Sequence, residues 1–174
     1  SPRLDIADRF DSSFFGFTPR EADFMDPQHR MFLEVCYEAM ETAGYRKESL
    51  DFPVGVFGGC GMNDYLVKNI LPNTLKGNGV GQLQTIINNN SDYLTTRVSY
   101  KMNLHGPSID IQTACSTSLV AVHMACRSII DGDSKVALAG GSFMYFPRDE
   151  GYLFEHGEIR SPDGHCRPFD KDAI

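Results

Sequence analysis

Hydrophobic positions repeat with two different periods along this chain, and these periods predict alternating helices and strands. After Asp26 and Pro27, a suitable cap and first residue for a helix, apolar residues recur at helical spacing until Gly44. The short apolar run 53–59 contains glycines and predicts a buried strand. The apolar face of the predicted helix consists of Phe32, Val35, Cys36, Ala39, Met40 and Ala43.

The same alternation returns around a cysteine in the second half of the chain. Residues 108–113 carry β-branched side chains on one parity, which predicts a strand, and a buried strand is also predicted at 135–141. Between them lies a predicted helix that Gly132 ends. Strand, helix and strand in this order predict a parallel crossover unit and therefore an α/β fold. The apolar face of that helix consists of Leu119, Val122, His123, Cys126, Ile129 and Ile130.

Two further stretches have weaker patterns. Residues 71–90 are rich in Asn, Gly and Leu and predict a surface excursion. Asp92 is a candidate cap for a following helix that carries Leu94, Val98 and Met102 and that Gly106-Pro107 ends. No internal repeat or linker is evident, so residues 1–174 are expected to belong to a single domain.

Cys115 lies where the predicted strand gives way to the predicted helix. Free N–H groups and aligned peptide dipoles at a helix N-terminus stabilise an anion, so this position favours a reactive thiolate. A sharp turn there also lets the backbone N–H of the nucleophile form half of an oxyanion hole. The alternative is a buried structural cysteine, since free cysteine is one of the most buried residue types.

Composition narrows the function classes. The chain has 174 residues, of which 41% are hydrophobic, and a net charge of -7, which argues against nucleic acid or an acidic membrane as partner. Without an 18-residue apolar run or a cleavable signal, we expect a cytoplasmic protein with no membrane span.

The five cysteines of the chain are widely spaced and form no C-x-x-C pair, so neither a disulfide scaffold nor a zinc site is indicated.

Segment 112–121, Gln-Thr-Ala-Cys-Ser-Thr-Ser-Leu-Val-Ala, resembles the active-site signature of β-ketoacyl synthases, the condensing enzymes of polyketide and fatty acid synthesis. The chain departs from many members of that family at Gln112, where they have Asp, and at Thr117, where they have Ser. Further segments resemble modular type I polyketide ketosynthases in the same order along the chain: 11–22 with 25–30, 97–100 with 106–108, 137–142, and 161–164 with 168–170.

The resemblance implies a thiolase-like fold built from two pseudo-symmetric α/β halves. Residues 1–174 are then the first half of a ketosynthase domain, incomplete at both ends, while the family's two catalytic histidines belong to the second half. Neither histidine motif occurs in this sequence. His123 is about 12 Å from Cys115 along the predicted helix and is expected to be a packed core residue, and we assign no catalytic role to any histidine.

The resemblance also implies a mechanism and partners. Cys115 would accept an acyl group from the phosphopantetheine arm of an acyl carrier protein and then condense it with a decarboxylating malonyl-type extender. The domain would hold neither metal nor cofactor, and it would form a homodimer through the strand from Ser108 to Ala114. Two alternatives remain open, namely a structural or interaction fragment without turnover and, less favoured, a cysteine hydrolase.

Overall fold

The computed structural model describes residues 9–46, 50–74, 81–145 and 151–173. Within them, helices and strands alternate as the sequence predicts, and short π-helical or 3₁₀ turns join several of them. The helices are α1 Pro19–Asp23, α2 Pro27–Thr42, α3 Leu71–Asn73, α4 Gln82–Asn89, α5 Leu94–Met102 and α6 Thr117–Ile130, and the strands are β1 Val54–Cys60, β2 Ser108–Asp110 and β3 Val136–Ser142.

The three strands form one parallel sheet in the order β2-β1-β3. Strand β1 pairs with β2 from Val56 opposite Ser108, and with β3 along its whole length to Cys60 opposite Ser142. The predicted parallel crossover is therefore confirmed. Because β1 lies between β2 and β3, the connection through α6 passes over the central strand.

Alternate residues of β1 serve two different cores, since successive side chains of a strand point to opposite faces. Val54 and Val56 are buried against α2 and α5 in a cluster that also contains Phe32 and Leu94. Phe57 lies on the other face with Ile111, Ala121 and Ala125. The result is a three-layer arrangement in which the sheet separates α6 from the α2 and α5 pair.

Helix α2 begins as predicted. The Oδ1 atom of Asp26 accepts a hydrogen bond from the backbone N–H of Gln28 at 2.8 Å, and Pro27 is the first helical residue. Gly44 follows the helix in the left-handed region, with φ +79°. The buried face is rotated slightly from the predicted one, because Leu33 is fully buried whereas Val35 is half exposed.

The region before β2 corrects three predictions. Residues 82–89 form α4 rather than an irregular excursion, and 75–80 lie outside the described residues. Asp92 is not a cap, because it lies inside a 3₁₀ turn that leads into α5. Helix α5 ends at Met102 and is capped by Asn103, which adopts φ +55°. Gly106 does not end the helix but runs against β1, where its N–H donates to the carbonyl of Val54 at 3.0 Å.

Helix α6 turns a different face to the sheet from the one predicted. Its buried residues are small, namely Ala121, Ala125 and Ser128, because small side chains let the helix lie close to the sheet. The predicted apolar face is exposed in this chain, with Leu119 at 74%. His123 is exposed as well, so its expected place in the core was wrong. None of the helices in the described ranges is long and apolar enough to cross a membrane.

Candidate active site

Cys115 lies in a tight turn between β2 and α6. Strand β2 ends at Asp110, three residues earlier than the predicted boundary at Thr113, after which Ile111 donates a last hydrogen bond to Gly58 of β1 at 2.8 Å. A single 3₁₀ turn, Ala114–Ser116, contains Cys115, and α6 begins immediately afterwards. Cys115 is exposed, which places its sulfur at the start of the helix and within reach of a substrate.

The backbone at Ala114 reverses the chain direction just before the cysteine. Ala114 has φ +51°, in the left-handed region that residues with a β-carbon rarely adopt. This conformation costs about 1–2 kcal/mol for an L-residue, so surrounding contacts must maintain it. Unusual backbone angles of this kind are concentrated at functional sites.

Hydroxyl groups of the turn supply those contacts. Thr117 Oγ1 accepts a hydrogen bond from the Thr113 backbone N–H at 3.1 Å and donates one to the Ala114 carbonyl at 2.8 Å. Ser116 Oγ donates to the Thr113 carbonyl at 2.8 Å. The peptide groups on both sides of Ala114 are therefore tied to the first residues after Cys115.

Strand β1 packs closely against the turn at Gly59. A β-carbon at this position would overlap the backbone carbonyl of Ile111 and lie 2.7 Å from Cγ2 of Thr117. Only glycine lets the central strand approach the turn this closely. The position of Cys115 therefore depends on a residue more than fifty positions away in sequence.

The other four cysteines differ from Cys115 in position or exposure. Burial raises the pKa of the Cys36 thiol to about 12. Burial and the nearby charges of Asp26 and Asp110 raise the pKa of the Cys60 thiol to about 12. Cys126 is exposed but lies in the middle of α6, and Cys166 is exposed in the C-terminal segment. All five cysteines are free.

The histidines do not complete a catalytic pair in this chain. His29 is fully buried, and burial together with the nearby Arg97 charge lowers its pKa to about 3, so the ring is neutral at physiological pH. The remaining histidines are exposed, and within the described ranges no hydrogen bond joins a histidine to Cys115. Nor do those ranges contain a group of three or more side chains suited to a metal ion.

A cavity of about 510 Å³ opens at the carboxyl end of the sheet, where parallel α/β sheets usually bind ligands. It reaches Gln112, three residues before Cys115, and six of its ten lining residues have polar side chains. Its residues are Cys60, Gly61, Met62, Asn63, Leu66, Asn89, Asn90, Ser91, Asp92 and Gln112.

The family of this chain follows from its similarity to known proteins. Residues 2–173 match the family described as the N-terminal domain of β-ketoacyl synthases. The chain belongs to this family. It is 46% identical over 179 aligned positions to a phenolphthiocerol/phthiocerol polyketide synthase component of Mycobacterium tuberculosis, covering 99% of this chain but 12% of that protein. Polyketide synthase PksL of Bacillus subtilis is 41% identical, with 98% of this chain and 4% of that protein aligned.

Solved ketosynthase structures agree with the β-ketoacyl synthase assignment. Ketosynthase twelve of the bacillaene polyketide synthase from Bacillus amyloliquefaciens has a TM-score of 0.81 and 34% identity, covering 93% of this chain and 28% of that one. The ketosynthase from module 1 of the bacillaene synthase of Bacillus amyloliquefaciens FZB42 gives a TM-score of 0.77 and 31% identity over 99% of this chain and 30% of that one. The predicted thiolase-like α/β fold is thus confirmed, and the chain spans less than a third of each relative.

The signature in the sequence singles out Cys115 as the candidate nucleophile, but it does not indicate the residues that fix its turn. Ala114 and Thr117 stand out in the sequence only as parts of the signature, and the left-handed conformation of Ala114 leaves no mark in residue type. Gly59 was the one available signal, because it belongs to the glycine-rich end of a predicted strand. Such a glycine indicates close backbone approach without indicating what approaches.

Proposed function

We propose that Cys115 is the acyl-accepting nucleophile of a β-ketoacyl synthase that elongates polyketide or fatty acid chains. The observation that carries this proposal is the exposed thiol held at a strained strand-to-helix turn. Cys115 lies in the 3₁₀ turn that immediately precedes α6, and the attacking species in acyl transfer is the thiolate. Family membership supplies the reaction type.

In the first half-reaction, the Cys115 thiolate attacks the carbonyl carbon of an acyl group carried on phosphopantetheine. The C–S bond to pantetheine breaks, and the departing thiolate takes a proton while Cys115 keeps the acyl group as a thioester. In the second half-reaction, a malonyl-type thioester loses carbon dioxide to give an enolate. Its α-carbon attacks the Cys115 thioester, a C–C bond forms, and the Cys115 thiolate leaves.

The backbone N–H of Cys115 is the oxyanion donor that this chain would contribute. Negative charge develops on the thioester oxygen in both half-reactions, and fixed N–H groups stabilise it without reorganising. By the family resemblance, a second N–H and two histidines come from the other half of the domain. The phosphopantetheine arm belongs to an acyl carrier protein, which is therefore the proposed partner.

We propose that the homodimer contact lies at the segment from Ser108 to Ala114, which contains β2. The sheet order leaves β2 at an edge, where unpaired N–H and C=O groups invite another strand. Ile109, in the middle of β2, is 39% exposed. A second copy pairing with β2 would extend the sheet and place two Cys115 turns near one interface.

Acyl transfer can be tested directly on the full-length protein. Incubation with an acyl thioester, followed by peptide mass spectrometry, should show the acyl group on the Cys115 peptide, and the Cys115→Ser variant should lose this signal. Cys126→Ser is the matched control, because Cys126 is an exposed cysteine on the same helix. Equal acylation of Cys115 and Cys126, or none at Cys115, would favour the alternative of a fragment that serves only structure or interaction.

A further inference from the structure

We propose that Thr117 is a positioning residue for Cys115, acting through its hydroxyl group. This inference rests on the proposed function, since it concerns the geometry in which Cys115 is acylated. Thr117 itself does not need to touch the acyl group. Its role is to keep the left-handed turn at Ala114 closed, so that the thiol and the N–H of Cys115 face the same carbonyl.

The two hydrogen bonds of Thr117 Oγ1 reach across the cysteine. One comes from the N–H of Thr113 at 3.1 Å and the other goes to the carbonyl of Ala114 at 2.8 Å. Both partners are backbone groups on the N-terminal side of Cys115, whereas Thr117 begins α6 on its C-terminal side. The hydroxyl therefore closes a ring that contains Ala114, Cys115 and Ser116.

The strain at Ala114 explains why such a closure is needed. An alanine at φ +51° returns to an extended or right-handed conformation unless other contacts oppose it. Ser116 contributes a hydroxyl bond to the Thr113 carbonyl, and the backbone N–H of Thr117 also donates to the Ala114 carbonyl. The Thr117 hydroxyl adds a second bond to that carbonyl and accepts the Thr113 N–H. Loss of the hydroxyl should therefore weaken the closure on the residue directly before the nucleophile.

The methyl group of Thr117 has a separate role, which allows the two parts of the side chain to be tested independently. Cγ2 faces Gly59, at 2.7 Å from where a β-carbon would stand, so it fills space beside β1. Serine keeps the hydroxyl and removes the methyl, whereas valine keeps the shape and removes the hydroxyl. If Thr117 positions Cys115 through its hydrogen bonds, Thr117→Val should slow the acylation of Cys115 and Thr117→Ser should not.

The experiment measures the rate of Cys115 acylation in the full-length protein for Thr117→Val and Thr117→Ser. We expect valine to slow acylation by between about tenfold and a hundredfold at saturating acyl thioester, because two hydrogen bonds are lost and the nucleophile is displaced. Serine should stay within about threefold of the unmodified protein, since both hydrogen bonds remain. Thr85→Val is the matched control, because it removes a hydroxyl that bonds a carbonyl four residues earlier in another helix.

Replacing Ala114 by glycine tests whether Thr117 acts by opposing the strain at residue 114. Glycine adopts φ +51° at little cost, so Ala114→Gly combined with Thr117→Val should recover most of the lost rate. A role in packing alone predicts no such recovery. If Thr117→Val is poorly folded, Thr117→Ala removes the hydroxyl without bulk and is compared with its own Ala114→Gly double variant.

The outcomes separate this inference from the function on which it rests. Absence of acylation at Cys115 in the unmodified protein would refute the proposed function. Normal acylation there, with Thr117→Val and Thr117→Ala equally fast, would refute the positioning role alone. Slow acylation of the valine variant without recovery in the double variant would also overturn it, since the strain at Ala114 would then be irrelevant.

Discussion

Gly59 and Ile111 come so close that no β-carbon fits between them, because the backbone of the central strand β1 lies against the Ile111 carbonyl. Ile111 is the first residue after β2, and its N–H donates to Gly58 of β1 at 2.8 Å. This contact fixes where the chain leaves the sheet on its way to Cys115. The nucleophile turn is therefore positioned from β1 as well as by its own hydrogen bonds.

Gly59→Ala should both destabilise the protein and slow the acylation of Cys115. The new methyl group would force Ile111 and Thr117 away from β1, and overpacking against backbone costs about 3 kcal/mol. Denaturant unfolding and the acylation rate are the two measurements. Gly81→Ala is the matched control, because a β-carbon there meets no atom within 4 Å, and it should leave both quantities nearly unchanged.

The sequence predicted element type well and the ends of elements less well. Asp26 and Gly44 carry local signals for the start and end of a helix, and both acted as predicted. The strand before Cys115 was predicted to reach Thr113 but ends at Asp110. Alternating β-branched residues continue past the last hydrogen bond to β1, and no property of the residue types marks where pairing stops.

Orientation of α6 could not be obtained from periodicity. Its most apolar face, which includes Leu119 and Ile130, is exposed here, while Ala121 and Ala125 contact the sheet. Periodicity shows which residues share a face, whereas packing distance decides which face lies against a flat sheet. The geometry of the candidate site could not be predicted from the sequence for the same reason, since the φ of Ala114 and the contact at Gly59 arise from tertiary structure.

The five cysteines should react with iodoacetamide at clearly different rates. Cys36 and Cys60 should remain nearly unlabelled in the folded protein, because burial raises the pKa of each to about 12 and leaves little thiolate, and Cys36 is also shielded from the reagent. Cys115 should react fastest, since it is exposed at the start of α6. Time-resolved peptide mass spectrometry measures all five rates in one sample.

The exposed cysteines Cys126 and Cys166 serve as internal controls in that experiment. They report the rate expected from exposure alone, without the N–H groups of a helix N-terminus. Labelling of Cys126 or Cys166 as fast as Cys115 would contradict an activated thiol. Unfolding in urea should bring Cys36 and Cys60 to the rate of the other cysteines.

His29 should make the stability of the fold depend on pH. Its pKa is lowered from 6.5 to about 3 by burial and by the charge of Arg97, so folding favours the neutral ring. Its contribution is complete above pH 6.5 and is lost as the pH falls toward 3. At pH 5 the loss amounts to about 2 kcal/mol, because the unfolded chain binds a proton that the folded chain rejects.

Asp26 opposes this effect, so the test must isolate His29. Burial raises the pKa of Asp26 to about 6, which adds stability as the pH falls from 6 toward 4. His29→Gln removes only the histidine contribution, and its free energy of unfolding at pH 7 and pH 5 is compared with that of the unmodified protein. The difference between the two proteins should shrink or reverse by about 2 kcal/mol at pH 5. His105→Gln, at an exposed position, is the matched control for the loss of an imidazole ring.

Gln28 should couple helix α2 to the loop that follows β1. Its side-chain amide donates to the carbonyl of Gly61 at 3.3 Å and to Asp26 Oδ2 at 3.2 Å, while its Oε1 accepts from the N–H of Gly61 at 3.0 Å. Gly61 lines the cavity beside Gln112. The amide therefore holds one wall of that cavity to the start of the helix.

Gln28→Leu should lower the free energy of unfolding by about 2–4 kcal/mol, because it leaves a partly buried N–H and a buried carboxylate with fewer partners. Gln28→Glu is a sharper variant, since it can still accept from Gly61 but places a second carboxyl group beside Asp26. It should therefore recover stability as the pH falls below about 6, where Asp26 becomes protonated and the two carboxyl groups share a proton. Urea unfolding at pH 5 and pH 7 measures both effects. Equal loss by the two variants at both pH values would show that Gln28 fills space rather than linking α2 to Gly61.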